Sequence, residues 1–202
     1  AALALLCAPA AGQKTLPHGP PVYGAWEEPF QHDLTGFASD FRFGAVHMAL
    51  IPRGPHRGKV LVWDVRGDQP TPAWVQRWSI LDVSAPTPAF LNAELELPLD
   101  GGDFFCGGHA WTSAGELLVA GGTTRYFGEG LAFHGGILGG RLVYLWDPTT
   151  GPLGLWKRQP DLSADRWYPT VVETATGEML IAGGTAGAER QPFNDYEVFS
   201  PG

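Results

Sequence analysis

Basic residues are scarce in this 202-residue chain: Lys and Arg total 13 against 21 Asp and Glu, giving a net charge of −8. No Lys/Arg cluster occurs anywhere, which excludes a nucleic-acid partner, because phosphate recognition needs concentrated cationic surface. Cysteine is nearly absent too, with Cys7 and Cys106 the only two. Beyond the first dozen residues no apolar run reaches the 18 or so needed for a membrane-spanning helix, so no transmembrane anchor is expected. What the chain has in quantity is Gly (28) and Pro (18), with eight Trp among short Val/Leu/Ile runs broken by Gly-Gly, Asp-Pro and Thr-Gly. That pattern predicts many short strands. An apolar fraction of 44% is too high for a disordered segment.

The chain opens AALALLCAPAAG, small residues and Leu running into Ala8-Pro9-Ala10. An apolar core ending in A-x-A is the mark of a secretory leader, which predicts a secreted, extracellular protein. Residues 1–11 read as the leader's remnant, without its basic segment or initiating Met, and 12–40 as an N-terminal extension. Loss of the leader removes Cys7 and leaves Cys106 with no disulfide partner, so its thiol is free, buried or chemically used.

Two segments align without gaps: Phe105–Thr123 (FCGGHAWTSAGELLVAGGT) and Trp167–Thr185 (WYPTVVETATGEMLIAGGT). Each reads as an apolar strand, a Gly-bearing hairpin turn, a second apolar strand and a closing Gly-Gly. A weaker copy, with a longer turn and no Gly-Gly, runs from His47 to Asp64. Strands closed by turn residues follow, at Leu142–Gly151 and around Trp156, and again at Asp195–Gly202. Four short strands per unit, recurring about every 57–62 residues, resemble kelch blades. The expected fold is all-β: an incomplete kelch-like β-propeller over 41–202, about three blades of a ring of seven. The expected blades are 41–100, 101–163 and a shortened 164–202. A blade cannot bury both faces alone, so the outer faces should be apolar and uncovered.

Cys106 and Tyr168 each lie nine positions before the hairpin Gly of their unit, Gly115 and Gly177. Equivalent positions on the first strands of consecutive blades ring one level of the central channel, which places the two side by side. The stretch DFFCGG (103–108) before GELLVAGG, and RWYPT (166–170) before GEMLIAGG, resemble the galactose oxidase/glyoxal oxidase family of copper-radical oxidases. The resemblance covers roughly residues 40–202. It implies that Cys106 is the cross-linking cysteine and Tyr168 the radical tyrosine, joined by a thioether, with the Tyr168 oxygen a copper ligand. It also implies oxidation of a small aldehyde, primary alcohol or carbohydrate by O2, with release of H2O2. That chemistry removes two electrons while Cu(II) accepts one, so a phenol beside the metal stores the second; oxygen and imidazole donors suit Cu(II). The family completes its copper site with a second Tyr and two His, for which this sequence offers no match, so the 202 residues alone should neither bind copper tightly nor turn over.

Ordinary readings stand beside these. A lone Cys is often a small buried hydrophobe and a Tyr at a strand start a core residue, which leaves a kelch-type module binding a glycan or protein, without catalysis, as the alternative. His47 and His109 lie on first strands and could face the channel, but neither has a partner at metal-ligand spacing. Galactose oxidase carries a Trp just after the Gly-Gly, stacked over its radical tyrosine; Ala186 stands there in this chain. The RWYPT flank is closer to glyoxal-oxidase-like sequences, which points to small aldehydes or exposed glycan ends. The Gly-rich stretch 124–141 reads as a blade loop.

Overall fold

The computed structural model describes residues 47–64, 74–84, 88–91, 95–99, 102–125, 138–186 and 192–201. All fall in one compact unit, His32–Gly202. The expected leader remnant and N-terminal extension lie outside the described residues, as does most of the Gly-rich stretch. Among the described residues every element is a strand, and no helix is long and apolar enough to cross a membrane.

Thirteen strands are described, in three antiparallel sheets. The first holds β1 (His47–Leu50), β2 (Val60–Asp64), β3 (Trp74–Asp82), β4 (Ala89–Phe90) and β5 (Leu95–Leu99). Its order is β1-β2-β3-β4, with β5 also paired to β3. The second holds β6 (Asp103–Trp111), β7 (Leu117–Arg125), β8 (Leu138–Gly139), β9 (Val143–Asp147) and β10 (Leu155–Arg158). Here the order is β10-β9-β7-β6, with β8 on the end of β7. The third is β11 (Thr170–Glu173), β12 (Met179–Ala182) and β13 (Tyr196–Phe199), paired in chain order.

The predicted hairpins form as the repeat demands. At Thr112–Glu116 and again at Thr174–Glu178 the turn closes with the same two backbone hydrogen bonds, and Gly115 (φ 76°) and Gly177 (φ 85°) take the left-handed position. Glycine is the residue that adopts this region without steric cost.

Strand alternation sends each sheet's two faces into different cores. Leu61 and Trp63 of β2 meet Leu117, Val119, Tyr144 and Trp146 of the second sheet. The other faces of β7 and β9, Leu118, Ala120, Val143 and Leu145, meet Val171, Met179 and Ile181 of the third. The first of these interfaces is an aromatic stack: Phe104 lies 5.1 Å from Trp156 and 5.2 Å from Tyr144, and Trp78 lies 6.1 Å from Trp156. A buried ring of this size removes ~150–250 Å² from water, worth on the order of 4 kcal/mol.

On one face each of the first and third sheets, large apolar side chains are exposed among the described residues. Met48 (55% exposed) and Leu50 (63%) mark the first sheet's outer side, and Val172 (45%), Tyr196 (66%) and Val198 (50%) the third's.

Candidate functional site

Strands β1 and β6, and the segment leading into β11, are the leading edges of the three sheets. The chemistry-bearing residues gather there. β6 pairs with β7 in regular register from Gly107↔Gly121 to Trp111↔Leu117, but between Asp103 and Gly107 the register shifts. Cys106 sits in this bulge at φ 64°, and Tyr168 has φ 55°; among the described residues no other non-glycine has positive φ. Each lies across from the Gly-Gly of its own unit, Gly121-Gly122 for Cys106 and Gly183-Gly184 for Tyr168, all four at positive φ. Bulges commonly re-aim a side chain beside a functional site, and a non-glycine residue held left-handed persists only where its surroundings over-determine it.

Those surroundings can be named group by group. Inside the bulge three successive amides donate to side chains instead of the ladder. Phe104 N–H goes to Gln76 Oε1 (3.1 Å), Phe105 N–H to Asp103 Oδ1 (3.0 Å), and Cys106 N–H to His47 Nε2 (3.0 Å). The Thr123 hydroxyl donates to the Phe105 carbonyl (3.0 Å). The Cys106 carbonyl accepts from Tyr168 N–H at 2.8 Å, tying the two sheets together at the two unusual residues. Gly108 lets this approach happen: a Cβ there would lie 2.3 Å from the Pro169 carbonyl oxygen.

Two residues before Tyr168 stands Arg166, whose side chain is wholly buried. Its guanidinium donates to Asp195 (2.8 Å), Glu197 (3.0 Å) and the Gly183 carbonyl (2.7 Å), and covers the Phe193 ring at 5.0 Å. The Arg166 carbonyl accepts from Gly122 N–H (3.0 Å), and Trp167 exchanges both backbone hydrogen bonds with Thr185.

The structure thus brings Cys106 and Tyr168 together. The nearby Cys106 thiol, together with burial, pushes Tyr168 up to about 12. Burial pushes the Cys106 thiol up, partly offset by the polar groups near it. Cys106 is buried (3% exposed) while Tyr168 is half exposed (52%), so the phenol faces outward over a concealed sulfur. Trp167 packs edge-on against the Tyr168 ring, centroids 4.7 Å apart. An aromatic neighbour therefore exists, supplied by the preceding residue and not by position 186.

Two further residues join the site that the sequence left with ordinary roles. His47 is buried, stacks on Trp63 (5.4 Å, 10°) and meets His109 edge-on at 5.9 Å. Burial, with a smaller contribution from His109, lowers His47 to about 4; burial also lowers His109, against a hydrogen bond to the Met48 main chain. Because Cys106 N–H donates to His47 Nε2, that nitrogen is the acceptor and the neutral ring carries its proton on Nδ1.

With this geometry in view, the fold can be set beside that of a solved structure. The fold is similar to that of a fungal alcohol oxidase. That structure is described as a novel alcohol oxidase with catalytic diversity among the AA5 family, in complex with copper. The match has a TM-score of 0.53 and 21% identity, and covers 76% of this chain and 28% of that one. At such identity the likeness is one of fold. No family profile and no curated protein matches the chain in sequence.

The residues fit a metal in part. The exposed Tyr168 oxygen is a suitable anionic donor for Cu(II) once deprotonated. Among the described residues, however, no group of three His, Cys, Asp or Glu side chains stands close enough to hold an ion.

Proposed function

We propose that this chain is the part of a secreted copper-radical oxidase that carries its Cys106–Tyr168 cofactor, in a β-propeller whose other blades cover the exposed outer faces. Tyr168 contributes one copper ligand and the remaining ligands come from outside the described residues. The observation that carries the reading is the pairing itself: two residues from consecutive repeats, both left-handed, tied by the 2.8 Å hydrogen bond from Tyr168 N–H to the Cys106 carbonyl. Strain of this kind concentrates at functional sites, and a packing cysteine has no need of it.

Maturation joins the Cys106 sulfur to a Tyr168 ring carbon ortho to the hydroxyl. The S–H and C–H bonds break, one S–C bond forms, and two electrons and two protons pass to dioxygen as hydrogen peroxide. In turnover a primary alcohol or hydrated small aldehyde, free or glycan-linked, is oxidised by two electrons and O2 again leaves as H2O2. Copper, when bound, supplies a one-electron acceptor beside the phenol, which stores the other electron equivalent. Cys106 keeps its sulfur shielded against the ring, and Trp167 packs against the ring edge.

The experiment measures peroxide release from the full natural chain, supplied with Cu(II) and O2, on a panel of small aldehydes, primary alcohols and terminal sugars. Turnover that Tyr168→Phe abolishes supports the oxidase. Binding of a glycan or protein with no peroxide, unchanged by Tyr168→Phe, supports the kelch-type binding module instead.

A further inference from the structure

We infer that His47 is a positioning residue for the Cys106–Tyr168 pair: its Nε2 holds the Cys106 amide, and with it the left-handed turn that brings the sulfur to Tyr168. The inference rests on the oxidase reading for its purpose, but not for its geometry.

Cys106 N–H has no ladder partner in the bulge, because the register between β6 and β7 is broken there. A buried amide must be satisfied, and the acceptor supplied is His47 Nε2, 59 residues away on the neighbouring sheet. The ring that presents this nitrogen is itself immobilised, stacked on Trp63 on one side and met edge-on by Phe105 (5.5 Å) and His109 (5.9 Å). Among the described residues its ring neighbours are Trp63, Phe105 and His109, and only an unprotonated nitrogen can accept from the Cys106 amide. The result is a rigid acceptor aimed at the amide of a left-handed residue. Without it the amide regains a partner by rotating the Cys106 backbone, which swings the thiol off Tyr168.

Three variants separate acceptor from filler. His47→Gln places an amide oxygen near the position of Nε2, His47→Phe keeps a stacking ring without an acceptor, and His47→Ala removes both. Two readouts are compared in the full chain. The first is the reaction rate of Cys106 with iodoacetamide in copper-free protein, with thermal unfolding as the control for folding. The second is the initial rate at which Cu(II) and O2 convert separate Cys106 and Tyr168 peptides into one cross-linked species, by mass. Releasing a left-handed residue lowers the aligned population roughly tenfold, about 1.4 kcal/mol. His47→Phe is therefore expected to be alkylated about ten times faster and cross-linked about ten times more slowly than wild type, with His47→Gln near wild type. A folded His47→Phe that matches wild type in alkylation overturns the inference. So does a His47→Gln that behaves like His47→Ala. If wild type never cross-links, the oxidase reading fails, and the alkylation series still decides the role of His47.

Discussion

The backbone strain at Cys106 makes a prediction whose sign is unusual. In a strand, replacing Ala by Gly ordinarily destabilises by about 0.5–1 kcal/mol, because glycine loses more chain entropy on folding. At φ 64° the comparison changes, since a Cβ in the left-handed region costs about 1–2 kcal/mol that glycine does not incur. Cys106→Ala and Cys106→Gly both lose the buried sulfur, so their difference isolates the backbone contribution. The glycine variant should be the more stable by about 0.5–1 kcal/mol. With an m-value of about 2 kcal/mol/M, that is a urea midpoint higher by roughly 0.3–0.5 M at unchanged slope. The half-exposed Tyr168, at φ 55°, should show the same inversion between Tyr168→Ala and Tyr168→Gly with less confounding from burial. If alanine is the more stable at both positions, neither residue is strained, and the argument that function holds them there collapses.

Other consequences follow from single contacts. Arg166→Met removes a buried cation from two carboxylates and a carbonyl; because Asp195 is solvent-exposed and can rehydrate, the loss should be near the low end for broken buried pairs, about 3 kcal/mol, and urea unfolding reads it directly. Gly108→Ala drives a methyl into the Pro169 carbonyl and should cost about 2 kcal/mol or more and slow cross-linking, whereas Gly58→Ala, with open space around it, should leave cross-linking untouched. Because the folded His47 binds its proton less readily than the unfolded chain does, protons favour unfolding as pH falls. Its contribution is full above about 6.5, declines towards about 4 and is flat below that, a swing of about 3 kcal/mol. His109 adds in the same direction. Denaturation midpoints across that window should fall with acid, and much less so in His47→Gln; an unchanged slope in the variant would contradict the assignment.

How much of this was written in the sequence differs from residue to residue. The two gapless repeats fixed β6, β7, β11 and β12 with their turns, because period-two apolar strands and a hairpin glycine are local signals. The same register brought Cys106 to Tyr168, since equivalent positions of consecutive sheets become neighbours whatever lies between them. The left-handed backbone was not legible: Cys and Tyr carry no marker for positive φ, and the bulge exists only because Gln76, Asp103 and His47 take up the amides it frees. His47 could be placed on a first strand but not given a task, for its partner is an amide and amides look alike in sequence. Trp167 is adjacent to Tyr168 in the sequence, but nothing local says that its ring packs on its neighbour's. Arg166 reads in the sequence only as a flank of Tyr168; its carboxylate partners belong to the edge of β13, and no local pattern links them. The double pairing of β3, with β4 and with β5, depends on how the chain returns and left no sequence trace.

The central claim is that Cys106 and Tyr168 are built to become one cofactor. The most direct measurement is the mass of the proteolytic peptides containing them, taken from the full natural chain after exposure to Cu(II) and O2. A single covalent species two hydrogens lighter than the summed peptides, absent from Cys106→Ala, is the predicted result. Two separate peptides of unmodified mass, from folded protein that has bound copper, would contradict it.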